Sequence, residues 1–342
     1  MQNKKDSSVA DLSFLTSIKT AARILSICAA VLIFSGSHQI VNADFAEQTA
    51  RKLIIASSYG SGYGGYISYG NDAINTCRQH LENPNSLITI DQEGGPVTRF
   101  HDSPSTPIAP RKLGSVPMEQ YFEHSVSVAS NLKQAHCIDV NFGTVFEPIW
   151  GPGIIRSIPT TMDDVFIYGR VFADAMQAGG VIPGLKHFPG STQKTRFLVD
   201  RKYRQAEGEP LEVREEYSGQ IKEYAKRFSP KPTDIVMIAH YVYPEYSSKP
   251  ALLEPLYYNW LREEMQFDGL IVTDAVNELK LTDNELLQVV KLADMILFAD
   301  GREAARVERL IANWIRTGKL SKTEIETKLT RINQTIKTAR KR

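Results

Sequence analysis

The sequence predicts a single-domain α/β fold, a (β/α)8 barrel of the TIM type. Three observations carry this. From Asp44 onward, eight short apolar runs alternate with helix-like segments, the signature of repeated βα units and a parallel sheet. The stretch from Asp44 to the C-terminus accommodates the ~250 residues usual for such a barrel, with room for insertions. No linker rich in Pro, Gly or Ser divides it. A doubly wound open sheet is the alternative that fits the same alternation.

The runs that read as strands are Lys52–Ser57, Gly65–Tyr69, Leu87–Asp91, Ile138–Val145, Val181–Lys186, Ile235–Ala239, Leu270–Thr273 and Met295–Phe298. Gly60-Ser-Gly62-Tyr-Gly-Gly65 between the first two fits the dinucleotide pattern GxGxxG. Phosphate binding requires a helix N-terminus behind the glycines, and Tyr66–Tyr69 reads as a strand, so that reading is rejected. Helices are expected at Met118–Ala135, Asp163–Ala178, Glu209–Lys226, Leu253–Met265, Asn284–Leu292 and Glu303–Thr317. Ser321-Lys-Thr-Glu324 has capping-box spacing and starts a last helix running toward Lys341.

Residues 1–43 stand apart from the barrel at 44–342. Lys4, Lys5, Lys19 and Arg23 precede an apolar run from Ile24 to Phe34, and Val41-Asn42-Ala43 offers small residues at a cleavable position. This reads as an export signal, implying a periplasmic or secreted protein. The run falls short of the ~20 apolar residues of a membrane span, so an uncleaved N-terminal anchor is the lesser alternative. Membrane attachment is expected through that segment alone. Lys+Arg total 40 against Asp+Glu 39, a balance that argues against a nucleic-acid partner. Beyond Cys28 in the apolar run, the chain has Cys77 and Cys137. Two are too few for a disulfide scaffold, and the expectation is buried free thiols.

Polar residues collect at the predicted strand ends: Asp91 ends the third run, Lys186 and His187 stand at the end of the fifth, His240 at that of the sixth and Asp274 at that of the seventh. In a barrel these positions share one mouth, where active sites are built. Each alone has an ordinary reading as a cap or a satisfied core residue; their shared position favours a site. A Schiff-base lysine at Lys186 is a further class this placement allows. A metal held by His187 and His240 would need a third ligand at recognisable spacing, and none occurs; no cofactor is expected.

Several motifs, in order, resemble glycoside hydrolase family 3. Asp91-Gln-Glu-Gly-Gly-Pro-Val-Thr-Arg99 resembles DQEGGRVxR, Lys186-His-Phe-Pro-Gly190 resembles KHFPG, and Phe267-Asp-Gly-Leu-Ile-Val-Thr-Asp274 resembles FDGxxxTD. Asn141-Phe142, Met237-Ile-Ala-His240 and Ala293-Asp294 fall in the same order. The similarity spans roughly Lys52 to Phe298 and is to the single-domain branch of β-N-acetylglucosaminidases, many acting on muropeptide fragments of the cell wall. It implies a carbohydrate substrate, Asp274 as nucleophile of a retaining mechanism, and Asp91, Arg99, Arg156, Lys186, His187 and His240 as the bed for the sugar. Two departures bear on chemistry. Ser191-Thr192 replaces the HG that follows KHFPG in the family, and in the Asp-x-His position of the next loop Asp200 is followed by Lys202 instead of the acid/base histidine. Asp200, Glu147 and Glu207 are the nearest carboxylates that could replace the missing acid/base. Pro96 also replaces an Arg in the first motif, and Glu147 an Asp. An amino-sugar-binding barrel without turnover is the alternative function.

Overall fold

Eight strands form one parallel sheet: β1 (Ile54–Ala56), β2 (Gly65–Ser68), β3 (Leu87–Ile90), β4 (Val140–Val145), β5 (Ile182–Phe188), β6 (Ile235–Ile238), β7 (Leu270–Thr273) and β8 (Ile296–Phe298). The structure, a computed structural model, describes residues 45–57, 62–70, 73–102, 104–146, 162–190 and 221–341. Each strand pairs with its neighbour in sequence, and β1 also pairs with β8 through Ile54–Ile296, Ile55–Leu297 and Ala56–Phe298. Between β7 and β8, a parallel bridge joins Val272 to Met295. A doubly wound sheet reverses its strand order at a switch point; this order never reverses and comes back on itself, which is barrel closure. Nearly every strand residue is buried, because helices cover the outside and side chains fill the inside.

The helices are α1 (45–52), α2 (Ala73–Glu82), α3 (Met118–Gln134), α4 (Met162–Ala178), α5 (Ile221–Lys226), α6 (Pro255–Asn259), α7 (Asp283–Leu292), α8 (Gly301–Arg316) and α9 (Lys322–Lys341). The expected capping box opens α9: the Glu324 N–H donates to Ser321 Oγ at 3.2 Å and the Ser321 N–H to Glu324 Oε2 at 2.7 Å. Of the helix expected over Glu209–Lys226, the described part is α5. The helix expected over Leu253–Met265 is interrupted. A 3-10 turn at Ala251–Leu253 ends at Glu254, which is extended at φ −104°, and α6 begins at Pro255 before a π-turn over Trp260–Glu264. Proline disfavours helical backbone in the residue before it and suits the first helical position.

The reading of Cys77 and Cys137 as free thiols is corrected: they form a disulfide, with Cα atoms 5.0 Å apart across 60 residues. Cys77 lies on α2, an element not anticipated from the sequence, and α2 packs where α3 ends. Thr76 Oγ1 donates to the His136 carbonyl at 2.7 Å in the same contact. Among the described residues, no helix is long and apolar enough to cross a membrane.

At the N-terminal end of the barrel, buried carboxylates tie helices to strands. Asp139, entirely buried before β4, accepts from the Ile88 N–H (3.0 Å), Lys133 Nζ (2.9 Å) and Arg340 Nη1 (2.6 and 2.7 Å). Asp294, before β8, accepts from the Ile271 N–H (2.8 Å), Arg262 (2.6 Å) and Arg331 (3.1 Å). These satisfied ion clusters at the bottom are structural; the polar residues at the other end line an open cleft.

Candidate active site

The cleft at the C-terminal end of the strands has a volume of about 350 Å3, and its walls include Tyr69, Asp91, Glu93, Arg99, Lys186, His187, His240, Tyr241, Asp274 and Glu278. Tyr69 directly follows β2, Asp91 follows β3, Lys186 and His187 lie in the last turn of β5, His240 follows β6 and Asp274 follows β7. Tyr69, Asp91 and Asp274 are the first residues past their strands, His240 is the second, and Lys186 and His187 still belong to β5, where Lys186 pairs with Val145; closure brings these residues, far apart in sequence, to one mouth. The strand that follows the glycine run is β2 itself, so no helix N-terminus stands there to hold a phosphate.

One wall is an ion network. Lys186 Nζ donates to Asp91 Oδ1 at 2.6 Å and lies 2.8 Å from Glu93 Oε1. Arg99 approaches the other oxygen of Asp91 at 3.9 Å and lies over the Tyr69 ring, 5.1 Å from its centroid. The chain returns to place Arg99 there through a tight reversal. The Glu93 and Gly94 N–H groups donate to the Val97 carbonyl at 2.9 and 3.2 Å, with Gly94 and Gly95 at φ 90° and 64°. Positive φ is accessible to glycine without steric cost, and a Cβ on Gly94 would also meet Ile108 O at 3.0 Å. Neither of these two bonds uses the nitrogen of residue 96, so Pro96 fits the turn without losing one of them.

The floor is Asp274. Its Oδ2 lies 3.3 Å from His187 Nε2 and 3.5 Å from His240 Nδ1, and its Oδ1 accepts from the Ala275 N–H at 2.8 Å. Burial alone would push this carboxyl up; His240 and His187, then the Ala275 N–H and Lys186, outweigh it and hold the group at about 2. The following turn is pinned to β8, since the Ala299 N–H donates to Asn277 Oδ1 at 2.7 Å and the Leu297 N–H to Thr273 Oγ1 at 3.1 Å. Asp274 is thus a carboxylate held in its ionised form above about pH 4, still 22% exposed toward the cleft. Such a group can attack an electrophilic carbon or stabilise developing positive charge. Lys186, bridged between two carboxylates, is an ion-pair hub with no marks of a Schiff-base nucleophile.

Residues 69–335 match the family described as Glycosyl hydrolase family 3 N terminal domain. The chain belongs to glycoside hydrolase family 3. A β-hexosaminidase of Vibrio cholerae serotype O1 is 26% identical over 273 residues, covering 71% of this chain and 77% of that protein. The structure of a family 3 β-N-acetylglucosaminidase from Paenibacillus sp. str. FPU-7 superposes with a TM-score of 0.72 at 23% identity, over 86% of this chain and 62% of that one. M tuberculosis LpqI superposes with a TM-score of 0.70 at 18% identity, covering 84% and 93%. These likenesses establish the fold; membership makes the chain a glycoside hydrolase.

In this family 3 barrel, six of the anticipated residues meet in one cleft: Asp91, Arg99, Lys186, His187, His240 and Asp274. Arg156 and Asp200 lie outside the described residues, as do Lys202, Glu147, Glu207 and the segment 1–43. Four further cleft residues were not anticipated: Tyr69, Glu93, Tyr241 and Glu278. Glu93 and Glu278 follow Asp91 and Asp274 by two and four positions, so attention to the turn after each strand end would have found them. Tyr69 and Tyr241 carry no such signal, since an aromatic residue at a strand end serves equally well as core.

Proposed function

We propose that the chain is an exported, retaining β-N-acetylhexosaminidase that removes terminal β-linked N-acetylglucosamine, with muropeptide fragments as the natural substrate class. The observation that carries this reading is Asp274, ionised, rigidly held and open to a cleft lined with hydrogen-bonding groups. A sugar offers hydroxyls and an amide, and Asp91, Arg99, Lys186, His187 and His240 present the charged donors and acceptors that fix such groups. In the first step, an Asp274 oxygen bonds to the anomeric carbon as the glycosidic bond breaks, and the leaving oxygen takes a proton. In the second, water donates a proton to the acid/base and its oxygen displaces Asp274 from the glycosyl–enzyme, retaining configuration. Asp200 is the proposed acid/base. Export is supported by the basic and apolar pattern of residues 1–43 and by the Cys77–Cys137 disulfide, a bond at home in oxidising compartments.

The test is hydrolysis of an aryl N-acetylglucosaminide with a good leaving group, which needs little protonation, by the wild-type chain and by Asp274→Ala. Turnover by wild type and background rate for the variant are expected; equal rates overturn the assignment of Asp274. Lys202 in the position of the family's acid/base histidine favours a second reading, recognition without turnover. Calorimetric binding of N-acetylglucosamine with no product on long incubation would establish that reading in place of the first.

A further inference from the structure

Gln92 follows Asp91 but points away from the cleft into a fully buried site, and all four hydrogen-bonding positions of its amide are used. Nε2 donates to the Phe100 and Ser105 carbonyls, both at 2.7 Å, while Oε1 accepts from the Arg99 N–H at 2.6 Å and the Phe100 N–H at 3.2 Å. Its own backbone is pinned from β4. The Gln92 N–H donates to Asn141 Oδ1 at 2.9 Å, and Asn141 Nδ2 donates to the Gln92 carbonyl at 3.0 Å. One primary amide therefore satisfies two donors and two acceptors of the returning segment Arg99–Ser105 and anchors it to the barrel wall. The segment is tied further where Ser105 Oγ meets His136 Nε2 at 2.9 Å, Asp102 Oδ2 at 2.8 Å and Asn131 Oδ1 at 2.6 Å, where His136 Nε2 meets Asp102 Oδ2 at 3.3 Å, and where the Phe100 ring stacks on His136 with centroids 3.8 Å apart.

The element so held ends in Arg99. Its Nε is buried at the cleft and, among the described residues, has no hydrogen-bond partner, while its guanidinium lies between Asp91 and the Tyr69 ring. A buried donor without a partner is costly, and a hydroxyl or carbonyl oxygen entering the cleft would satisfy it. Backbone placement sets where that donor points, because Arg99 leaves the chain at the very N–H that Gln92 Oε1 grips.

We infer that Gln92 is a positioning residue for substrate recognition: it acts through Arg99, fixing the guanidinium against the sugar, and touches no substrate itself. This rests on the proposed function above. The decisive experiment is a double-mutant cycle of Gln92→Leu and Arg99→Ala in the full chain, assayed on the aryl N-acetylglucosaminide. Gln92→Leu is expected to lower kcat/KM about 10- to 100-fold, mainly through KM, the size expected for one misplaced charge-assisted hydrogen bond. In the Arg99→Ala background the same change should cost less than about twofold, since coupled sites are non-additive. Penalties that multiply overturn the inference. Gln92→Glu supplies a variant of nearly the same shape. As a carboxylate it faces the Phe100 and Ser105 carbonyls and should be impaired, recovering relative to wild type as pH falls from about 8 toward about 4 and the acid gains a proton to donate; a flat ratio counts against the inference. Amide hydrogen exchange reads the same device without substrate: Gln92→Leu should accelerate exchange at Arg99 and Phe100 while β5–β7 stay protected, and unchanged protection overturns it. Failure of the proposed function would show instead in the wild-type chain, which would neither turn over nor bind the sugar.

Discussion

Asp274 keeps its charge only because its neighbours outweigh its burial, and His240 is the largest of those favourable influences. Its carboxyl, at about 2, lies below the ordinary 3.8, so the stabilisation it supplies is fully present above about pH 4 and is lost as pH falls toward 2. Asp274 therefore contributes no acid limb to kcat/KM above about pH 4 in wild type. Replacing His240 by Ala removes the largest of those favourable influences, and the expected result is an Asp274 limb displaced upward; a pH–rate profile on the acid side checks this. Lys186 is the second residue on which the site turns. Lys186→Met would leave Asp91 and the buried Glu93 without the shared cation, with an expected loss of about 3–5 kcal/mol of stability, measured by denaturant titration, together with weaker sugar binding.

At the scale of elements, the strands were legible and the helices less evenly so. All eight strands lie where short apolar runs stood, with ends shifted by one or two residues, because strands buried on both faces must be apolar throughout. Helix α2 was not anticipated because it is short and mostly polar: Leu81 is 77% exposed, and the helix is held by the disulfide and by the Thr76 hydrogen bond. Helix α9 is the reverse case, announced by its capping box, yet its anchor is invisible in sequence. Arg340 reaches 201 positions back to Asp139. Burial would raise the Asp139 carboxyl, but the His80 contact, Lys133, Arg340 and the Ile88 N–H hold it at about 2. The folded value again lies below the ordinary one, so the clamp on α9 is intact above about pH 4 and fails as pH drops toward 2. Asp139→Ala should cost about 3–5 kcal/mol by leaving Arg340 and Lys133 unpaired, and chemical denaturation of the variant tests it.

For the molecule as a whole, the two ends of the barrel divide labour. The N-terminal end spends its carboxylates on closed clusters around Asp139 and Asp294, and the C-terminal end keeps Asp274 open to a cleft. The disulfide adds a third tie, closing 60 residues that span β3 and α3. In the chain-entropy account, a loop of that length is worth about 4 kcal/mol. Cys77→Ser with Cys137→Ser is expected to lower the free energy of unfolding by that much, measured by denaturant titration, and reductant should do the same to wild type but not to the double variant.

By itself, the sequence determined that this is a barrel of eight strands and that Asp91, Lys186, His187, His240 and Asp274 stand at strand ends. Both follow from local patterning, since a run's apolarity and the polar residue that stops it are set within a few positions. Tertiary structure alone decided which of these side chains meet. Lys186 joins Asp91 across 95 residues, Cys77 joins Cys137, and Gln92 turns inward to hold Arg99 while Asp91 beside it faces the cleft. The first two contacts are products of closure: the angle between strands and the return of each loop set the distances, and no window of sequence short enough to read locally contains both partners; for Gln92 and Arg99, seven positions apart, the path of the returning loop decides which side chain faces inward.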